Sequence, residues 1–304
     1  MTDAPAYPPL ITVIMPVWQP RADWLEAAID SVLGQRGCRL ELIVVDDGCA
    51  DPVSRLLSSC SDQRIRLIRI GHGGQAEACN AGIAHARGAW IRFVDPDDVL
   101  PSDSTAHLIS LMDGDRLIAY GATLDCDDAL RPRGVIASSL QGDVVADCLL
   151  ARFHARHPAL LFPRRVIELA GGWENLGVSS DWDFVLRALD HAPVRGDRTI
   201  VLHYRRHAGS MTGAATMRAA EESWRRIVAR YFLRHPEQRW THLERLAWAT
   251  LYGTNARRYV RAGRYGCALD RFGRAAWWHP RTALRETAAF MMPAPIPPIV
   301  PTVR

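Results

Sequence analysis

Four short apolar runs decide the fold: ITVIMPV at residues 11–17, LIVV at 42–45, IRLIRI at 65–70 and WIRFV at 90–94. Each run is short and rich in β-branched residues, which is typical of buried strands. Amphipathic stretches of helical length separate them, at 23–33, 52–58 and 75–86. Because strands and helices alternate strictly, the sequence predicts an α/β fold with a parallel sheet that is covered by helices on both faces.

The rest of the chain has a mixed and then a helical pattern. The middle has short strand candidates and one good helix candidate, at 117–120, 159–162, 199–204 and 181–190. Further on, apolar residues follow the i, i+3, i+4, i+7, i+8 spacing of one buried helical face: Trp224, Ile227, Val228, Tyr231 and Phe232. Two more helices are predicted at about 241–261 and 265–278, joined at Ala262-Gly263-Arg264.

These patterns predict four segments. Residues 1–110 and 111–215 would form two halves of the main domain. Residues 216–286 would form an Arg-rich helical extension. Residues 287–304 are rich in proline and are predicted to be a disordered tail.

The composition excludes several protein classes. The chain has 304 residues, of which 48% are hydrophobic and 23% charged, so disordered and collagen-like classes do not fit. All 37 basic residues are arginine, and without lysine there is no Walker-type phosphate loop, no Schiff-base chemistry and no pyridoxal-phosphate anchor.

Positive charge is concentrated near the C-terminal end. The net charge is only +4, but residues 216–286 contain 15 Arg against 6 acidic residues. Such a segment is either a set of solvated helix faces or a contact surface for an anionic membrane or polymer. Because nucleic-acid-binding motifs are absent from the sequence, no nucleic-acid partner is expected.

The cysteines and the apolar segments indicate a cytoplasmic protein. The seven cysteines are odd in number and form no C-x-x-C pair, as in a reduced protein without a zinc site. The first residues, MTDAPAYPPL, lack the pattern of a signal peptide. The longest uncharged stretch, 287–303, contains five prolines and is too short to span a bilayer. We therefore expect a cytoplasmic protein, and peripheral contact at the inner face of the membrane stays open.

Acidic residues follow two of the predicted strands, where ligands of parallel sheets gather. Asp95-Pro-Asp97 places two carboxylates on one side of an extended segment, which suits a hard divalent cation, although such a sequence is also ordinary turn chemistry. Asp46-Asp47-Gly48 could cap the next helix or accept a hydrogen bond from a nucleotide.

A third acidic group and several histidines have similar alternatives. Asp181, in SSDWD at 179–183, could stabilise a helix N-terminus or act as a general base beside a metal diphosphate. His154 and His157 have the i, i+3 spacing of a metal pair but lie among Arg and Pro, and we assign them no function. His207 follows a predicted strand and could contact a diphosphate or its metal.

A rival function comes from the glycine-rich segment that begins at Gly71. GHGGQA at 71–76 matches the dinucleotide fingerprint G-x-G-x-x-A, and Asp95 follows at about the right distance. This pattern favours an NAD-dependent oxidoreductase that uses Gly71, Gly73 and Asp95. Against it, the segment belongs to the second crossover of the sheet, and the acid is embedded in Asp-Pro-Asp-Asp.

Taken in order, the motifs resemble the inverting family-2 glycosyltransferases of the GT-A fold. The resemblance spans about residues 10–215 and rests on the following segments: IMPVW at 14–18, VVDDG at 44–48, GGQ at 73–75 with NAG at 80–82, FVDPDD at 93–98, SDWD at 180–183 with LR at 186–187, and YRRH at 204–207 with Ser210. It implies a Rossmann-like, mostly parallel sheet flanked by helices, with the C-terminal helices as an extension. Residues 1–110 would be its nucleotide-sugar-binding half and 111–215 its acceptor-binding half.

The resemblance also implies roles for individual residues. Pro16, Val17 and Trp18 would line the base of a nucleotide, and Asp47 would hydrogen-bond to it. The other residues expected to bind the nucleotide sugar are Asp46, Gly74, Asn80, Asp95 and Asp97.

The chemistry implied is transfer of a sugar from a nucleotide-diphosphate sugar to a hydroxyl group, with inversion. Asp95 and Asp97 would hold Mn²⁺ or Mg²⁺, His207 would be a further metal contact, and Asp181 would be the base. The acceptor expected is a glycan or a lipid-linked glycan. The oxidoreductase and a non-catalytic sugar-nucleotide-binding scaffold are the alternatives.

Overall fold

The computed structural model describes residues 10–58, 60–153, 155–207, 209 and 217–284. Contacts between residues divide the chain into two compact units. The first unit lies within residues 1–144, 154–175 and 180–207, and the second within 145–153, 176–179 and 208–304.

The first unit is built on one sheet. Its strands are β1 (Leu10–Val17), β2 (Arg39–Asp47), β3 (Ile65–Ile70), β4 (Trp90–Phe93), β5 (Ile118–Cys126), β6 (Pro132–Ile136), β7 (Leu160–Pro163) and β8 (Val194–Arg205). The order is β3-β2-β1-β4-β7-β5-β6, and β8 pairs with β5. The pairs among β1 to β4 and the pair β5–β8 are parallel, whereas β7 is antiparallel to β4 and β5, and β6 to β5.

Helices connect these strands. In the first unit they are α1 (Ala22–Leu33), α2 (Val53–Leu56), α3 (Gln75–His85), α4 (Ser104–Leu111), α6 (Arg164–Ala170) and α7 (Ser180–Leu189), while α5 (Val145–Leu149) belongs to the second unit. The predicted α/β class is confirmed. The helix predicted at 52–58 is a single turn, and α4, α6 and β6 were not predicted.

The central strands are buried because both faces are covered. Every residue of β1 after Leu10 is buried, as is every residue of β2 after Arg39. Helix α3 packs closely on β1, since a Cβ atom on Gly82 would lie only 2.4 Å from Cγ2 of Ile14. The apolar core includes Val13, Met15, Leu42, Val44, Leu108 and Leu161.

The register of the parallel strands brings their carboxyl ends to one edge. Val17 of β1 lies opposite Asp46 of β2, and Asp47 lies opposite Ile70 of β3. Because β4 is also parallel to β1, the segment that begins at Asp95 leaves the sheet on this side. The motifs predicted to bind ligands therefore meet here.

The second unit is helical in its described residues. It contains α8 (Met217–Arg234), α9 (His242–Arg261) and α10 (Tyr265–Trp278). Four residues of the predicted apolar face of α8 are buried: Ile227, Val228, Tyr231 and Phe232. The buried Glu221 of α8 accepts hydrogen bonds from the Tyr259 hydroxyl at 3.1 Å and from Nε of Arg271 at 2.8 Å, which ties the three helices together.

The predicted segment boundaries can be placed on this architecture. The halves predicted at 1–110 and 111–215 both contribute strands to the one sheet. The boundary at 215 and the tail at 287–304 lie outside the described residues, as does Ser210.

Candidate active site

The turn after β4 gathers three carboxylates. Oxygen atoms of Asp95, Asp97 and Asp98 lie within 4.8 Å of one another. His207 approaches from the end of β8, with Nε2 at 2.7 Å from Oδ2 of Asp97. The predicted pair Asp95 and Asp97 thus lies beside a third acid and the predicted histidine.

The cluster has the donor set of a hard-cation site. Asp98 is fully buried, its Oδ1 accepts a hydrogen bond from the backbone N–H of Arg205 at 2.9 Å, and its Oδ2 has no hydrogen-bond partner among the described residues. Burial, with Asp97 and Asp95 nearby, raises the pKa of Asp98 well above its ordinary value. Burial and Asp95 also raise the pKa of Asp97, against the opposing effect of His207. Carboxylates crowded in this way fit Mn²⁺ or Mg²⁺, because the cation offsets their repulsion.

Arg205 holds this turn in place. Its Nε donates to the carbonyl oxygen of Asp97 at 2.8 Å, and its Nη1 donates to that of Asp128. Its guanidinium lies 4.7 Å from the ring centre of Trp24, whose edge also meets His207. The backbone between Asp97 and Asp98 is therefore fixed by a buried arginine from β8.

Asp181, the predicted base, belongs to the same site through His157. Asp181 lies in the first turn of α7 and is 40% exposed, whereas His157 is only 7% exposed. Nδ1 of His157 lies 3.4 Å from Oδ2 of Asp181, and Nε2 lies 3.6 Å from Oδ1 of Asp95. One imidazole thus stands between the predicted base and the predicted metal site.

Charge pairing perturbs the pKa values of this group. Burial acts to lower the pKa of His157, but Asp95 and Asp181 outweigh it and raise the value to about 10. Burial acts to raise the pKa of Asp181, but the contact with His157 outweighs it and keeps the value below normal. Both groups are therefore charged at neutral pH, and Asp181 is ready to accept a proton.

Two buried contacts support His157. Its ring meets the ring of Trp173 edge-on at 5.3 Å, and Trp173 stacks on Phe184 at 4.8 Å. The adjacent Pro158 carbonyl accepts a hydrogen bond from Nε of the fully buried Arg92 at 3.0 Å.

Asn80 binds the backbone of Trp173, whose ring contacts His157. Its side-chain oxygen accepts from the N–H of Trp173 at 2.8 Å, and its side-chain nitrogen donates to the Trp173 carbonyl at 2.9 Å. The predicted sugar-nucleotide residue Asn80 thus engages the backbone behind His157.

The second predicted surface, for the nucleotide base, lies at the ends of β1 and β2. Trp18 is 56% exposed and stacks on His72 at 4.8 Å. Pro16 and Val17 lie in the buried part of β1, so Trp18 is the member of the predicted trio with a large exposed ring. His72 also contacts Asp47, with Nδ1 at 2.9 Å from Oδ2.

Both acids of the DD pair are engaged within the protein. Asp47 accepts hydrogen bonds from the backbone N–H groups of Gly73 at 2.8 Å and Gly74 at 2.9 Å. Asp46 accepts from the N–H groups of Cys49 and Val53 and from Nη1 of Arg69.

The glycine-rich segment of the rival hypothesis is occupied by the same contacts. Gly74 has φ +86° at the start of α3, and its N–H and that of Gly73 point at Asp47. A dinucleotide site needs such N–H groups for a pyrophosphate. Gly71 has open space around it, while a Cβ atom on Gly73 would collide with Glu77. The backbones of Gly73 and Gly74 thus hold the start of α3 against Asp47 at the end of β2.

The structure adds residues that the sequence did not indicate. His157 was assigned no function, yet it lies at the centre of the site, while the neighbouring prediction for His154 lies outside the described residues. Asp98 and Arg205 lie in the quoted segments FVDPDD and YRRH, but neither was assigned a role of its own. Asp98 is adjacent to the D-x-D pair, which was an available signal, whereas the position of His157 depends on contacts between distant segments.

Comparisons with known proteins show which family the chain resembles. Residues 12–141 match the family model described as glycosyl transferase family 2. The succinoglycan biosynthesis protein ExoO of Rhizobium meliloti is 39% identical over 108 residues, which is 35% of this chain and 30% of that protein. The chain covers less than a third of the length of the first curated relatives that it matches.

Solved structures share the fold. The S. aureus TarS fragment 1–349, in complex with UDP-GlcNAc, has a TM-score of 0.60 at 14% identity, covering 88% of this chain and 91% of that one. The mannosyltransferase PcManGT from Pyrobaculum calidifontis, in complex with GDP-Man and Mn²⁺, has a TM-score of 0.59 at 21% identity, covering 94% and 81%.

These matches confirm the predicted resemblance and the GT-A fold with C-terminal helices. None of them supports the oxidoreductase or the scaffold. In the described part of the chain, no helix combines the length and the apolar character needed to cross a bilayer.

Proposed function

We propose that this chain transfers a sugar from a nucleotide-diphosphate sugar to a hydroxyl acceptor with inversion, because residues 12–141 match the family model of glycosyl transferase family 2. The observation that carries the proposal is the position of His157. Its two ring nitrogens lie 3.4 Å from Asp181 and 3.6 Å from Asp95, so a base candidate and a metal-site candidate share one site.

Asp95, Asp97 and Asp98 are the residues that would hold Mn²⁺ or Mg²⁺. When bound, the cation offsets the charge that develops on the departing diphosphate. His207 holds Asp97 through Nε2 and is a further candidate ligand. Arg205 keeps the backbone of the turn in the geometry that brings the three carboxylates together.

Asp181 is the proposed base. The acceptor oxygen forms a bond to the anomeric carbon while the bond from that carbon to the diphosphate oxygen breaks. The hydroxyl proton passes to the Asp181 carboxylate, and the single displacement inverts the configuration. Because the contact with His157 keeps the pKa of Asp181 below normal, the carboxylate is free of a proton before the reaction.

The nucleotide base is proposed to lie near Trp18, whose exposed ring offers a stacking surface at the end of β1. Two neighbours with this fold were solved with UDP-GlcNAc and with GDP-Man and Mn²⁺, which supports a nucleotide-sugar donor. ExoO is described as a succinoglycan biosynthesis protein, which supports a glycan or a lipid-linked glycan as acceptor.

We also propose that α10 contacts an anionic membrane surface. Tyr265, Leu269 and Trp277 are exposed on this helix. Arg261 and Arg264 are exposed at its start, so an apolar face adjoins positive charge. This combination is typical of helices that lie in a membrane interface, where a lipid-linked acceptor would be available.

The test is thermal unfolding with UDP, GDP, dTDP and NAD, each with and without Mn²⁺. A ligand that binds only the folded state raises Tm, and a 100-fold excess over Kd stabilises by about 2.7 kcal/mol. We expect a Mn²⁺-dependent rise with one nucleoside diphosphate. The variant Asp97→Ala should lose that rise.

The matched control is Asp30→Ala, which removes an exposed aspartate from α1. This variant should keep the full response to nucleotide and Mn²⁺. A rise with NAD alone that needs no metal would overturn the proposal and favour the oxidoreductase. The absence of any rise would contradict the proposal, because a transferase of this kind must bind its nucleotide donor.

A further inference from the structure

The side chain of His157 is buried, charged and placed between two acids of different proposed roles. It lies at the start of a short 3₁₀ turn, His157–Ala159, that leads into β7. Its partners come from other elements: Asp181 begins α7, and Asp95 follows β4. Because each ring nitrogen of His157 faces a different carboxylate, this one side chain can orient two acceptors.

His157, Asp95 and Asp181 differ in how far their side chains are exposed to solvent. Asp181 is the more accessible member, while His157 lies beneath it and is almost inaccessible. Oδ2 of Asp181 faces Nδ1 of His157, so the imidazole restricts the rotation of the carboxylate. A base that is oriented by a third group in this way is a recurring feature of active sites.

Neighbouring residues hold the imidazole of His157 in place. Trp173 covers one side of the ring, and Arg92 fixes the adjacent carbonyl of Pro158. Both contacts are longer than an ordinary hydrogen bond, and Nε2 has no hydrogen-bond partner among the described residues. Contacts of this kind shorten when substrate binds.

We infer that His157 is a positioning residue that orients Asp181 through Nδ1 and Asp95 through Nε2. The inference rests on the proposed transferase function for its kinetic part only. The rigid ring of His157, together with Nε2 of Gln75, which donates to Oδ1 of Asp95 at 3.2 Å, sets the distance between the base and the metal site. A misplacement of about 1 Å at such a site lowers the rate by roughly 100-fold.

The two contacts can be separated by substitution. His157→Asn places an amide nitrogen near the position of Nδ1, and His157→Gln places one near Nε2, while His157→Ala removes both. The matched control is His107→Ala. It breaks the pair between Nε2 of His107 and Oδ1 of Asp197, 3.0 Å apart, which joins α4 to β8 outside the site.

The kinetic readout is release of nucleoside diphosphate from UDP-GlcNAc or GDP-mannose with Mn²⁺, with water as the acceptor that attacks the anomeric carbon. We expect His157→Ala to lower kcat about 100-fold while the donor KM stays within roughly 3-fold, as for a residue that acts on the transition state. His157→Asn should recover most of the lost kcat, and His157→Gln should recover little. His107→Ala should leave kcat close to that of the unmodified protein, because the pair that it breaks lies outside the site.

The second readout needs no donor and no activity. Calorimetric titration of the donor-free protein with Mn²⁺ should show weaker binding in His157→Asn than in His157→Gln, and because both side chains are neutral this comparison excludes the effect of the lost imidazolium charge. Equal effects of all three substitutions, or a kcat of His157→Ala within 3-fold of the unmodified protein, would overturn the inference.

The two proposals can fail separately. If the unmodified protein releases no nucleoside diphosphate, the transferase function fails. The Mn²⁺ titrations then decide the positioning role alone, since equal Mn²⁺ affinity in the Asn and Gln variants would contradict it.

Discussion

Asn80 uses both ends of its side chain on one partner, the backbone of Trp173. Asp at this position could still accept from the Trp173 N–H but could no longer donate to the carbonyl, which would face a carboxylate oxygen instead. We expect Asn80→Asp to lower the free energy of unfolding by about 1–3 kcal/mol, the cost of an unpaired buried polar group. Urea unfolding measures this loss.

Asn255→Asp is the matched control, because Nδ2 of Asn255 donates to the carbonyl of Leu251 inside α9, in the helical unit. Both variants should lose stability, whereas only Asn80→Asp should slow release of nucleoside diphosphate from a nucleotide sugar. Normal kcat in a folded Asn80→Asp protein would show that the support behind Trp173 is irrelevant to the chemistry.

Single residues differ in how far the sequence could define their roles. Asp95 and Asp97 could be predicted as neighbours because two residues in an extended segment project to one side. The same rule separates Asp46 from Asp47, and they do have different partners: Asp46 engages Arg69 and its own loop, and Asp47 engages the start of α3. His157 could not be predicted, because its partners are brought to it only by the tertiary fold.

At the scale of elements, α10 has a buried and an exposed face of unusual composition. Ala268 and Ala275 are buried, while Leu269 is 71% and Trp277 is 74% exposed. Asp270 on the same helix is neutralised by Arg271 and Arg274. The helix therefore presents apolar surface without a net negative charge.

We expect Leu269→Asp to weaken binding to anionic vesicles of phosphatidylglycerol and phosphatidylcholine. Burying a leucine side chain contributes about 1.5–3 kcal/mol, so the loss should be roughly tenfold or more in co-sedimentation at low salt. Tm should stay the same, because this side chain has no role in the core.

The control is Leu233→Asp on α8, where the side chain is 68% exposed. It introduces the same charge into the same helical unit but away from α10 in sequence. An equal loss of binding in both variants would indicate general electrostatic attraction and contradict a specific role for α10. No binding by the unmodified protein would remove the membrane proposal.

The bounds of a helix or strand can be predicted well where the sequence features that define them are local. Helices α9 and α10 agree closely with the sequence prediction, since the turn at Gly263 and the periodic apolar residues are local features. Strands β5 and β8 are longer than predicted because they include polar residues such as Asp125 and Asp197. Their pairing with each other sustains them, and a pairing between distant segments leaves no local pattern.

At the scale of the whole molecule, all basic residues are arginine, and this has a structural use. Arg92 is fully buried, has no carboxylate partner among the described residues, and donates to the Pro158 and Val201 carbonyls and to the hydroxyl groups of Ser104 and Thr105. A lysine, with three donors at one point, could not reach four acceptors on separate segments. The class of fold was predictable from the alternating strands and helices. The hydrogen bonds of the buried Arg92 were not predictable, because a charged residue within an apolar run gives no sign of which acceptors it will reach.

The acidic cluster lowers the stability of the whole molecule when no metal is bound, and this can be tested with Asp98→Asn. The amide keeps the oxygen that accepts from the Arg205 N–H and removes charge where Oδ2 lacks a partner among the described residues. An acid whose pKa is raised in the folded state holds its proton longer there than in the unfolded chain, so stability falls as pH rises above the unfolded value near 3.8. The groups that face Asp98 are Asp95, Asp97 and Arg156.

We therefore expect Asp98→Asn to raise Tm at pH 7 in EDTA, and to lose most of the rise that Mn²⁺ gives the unmodified protein. At pH 4 the gain in EDTA should shrink, because the pH is then close to the unfolded pKa of 3.8 and keeping Asp98 protonated in the folded state costs little free energy. Calorimetric unfolding at both pH values, with EDTA and with Mn²⁺, measures the four differences. A lower Tm of the variant in EDTA at pH 7, or an undiminished response to Mn²⁺, would mean that Asp98 stabilises the turn as an ordinary buried acid and that the cation, if bound, is held without it.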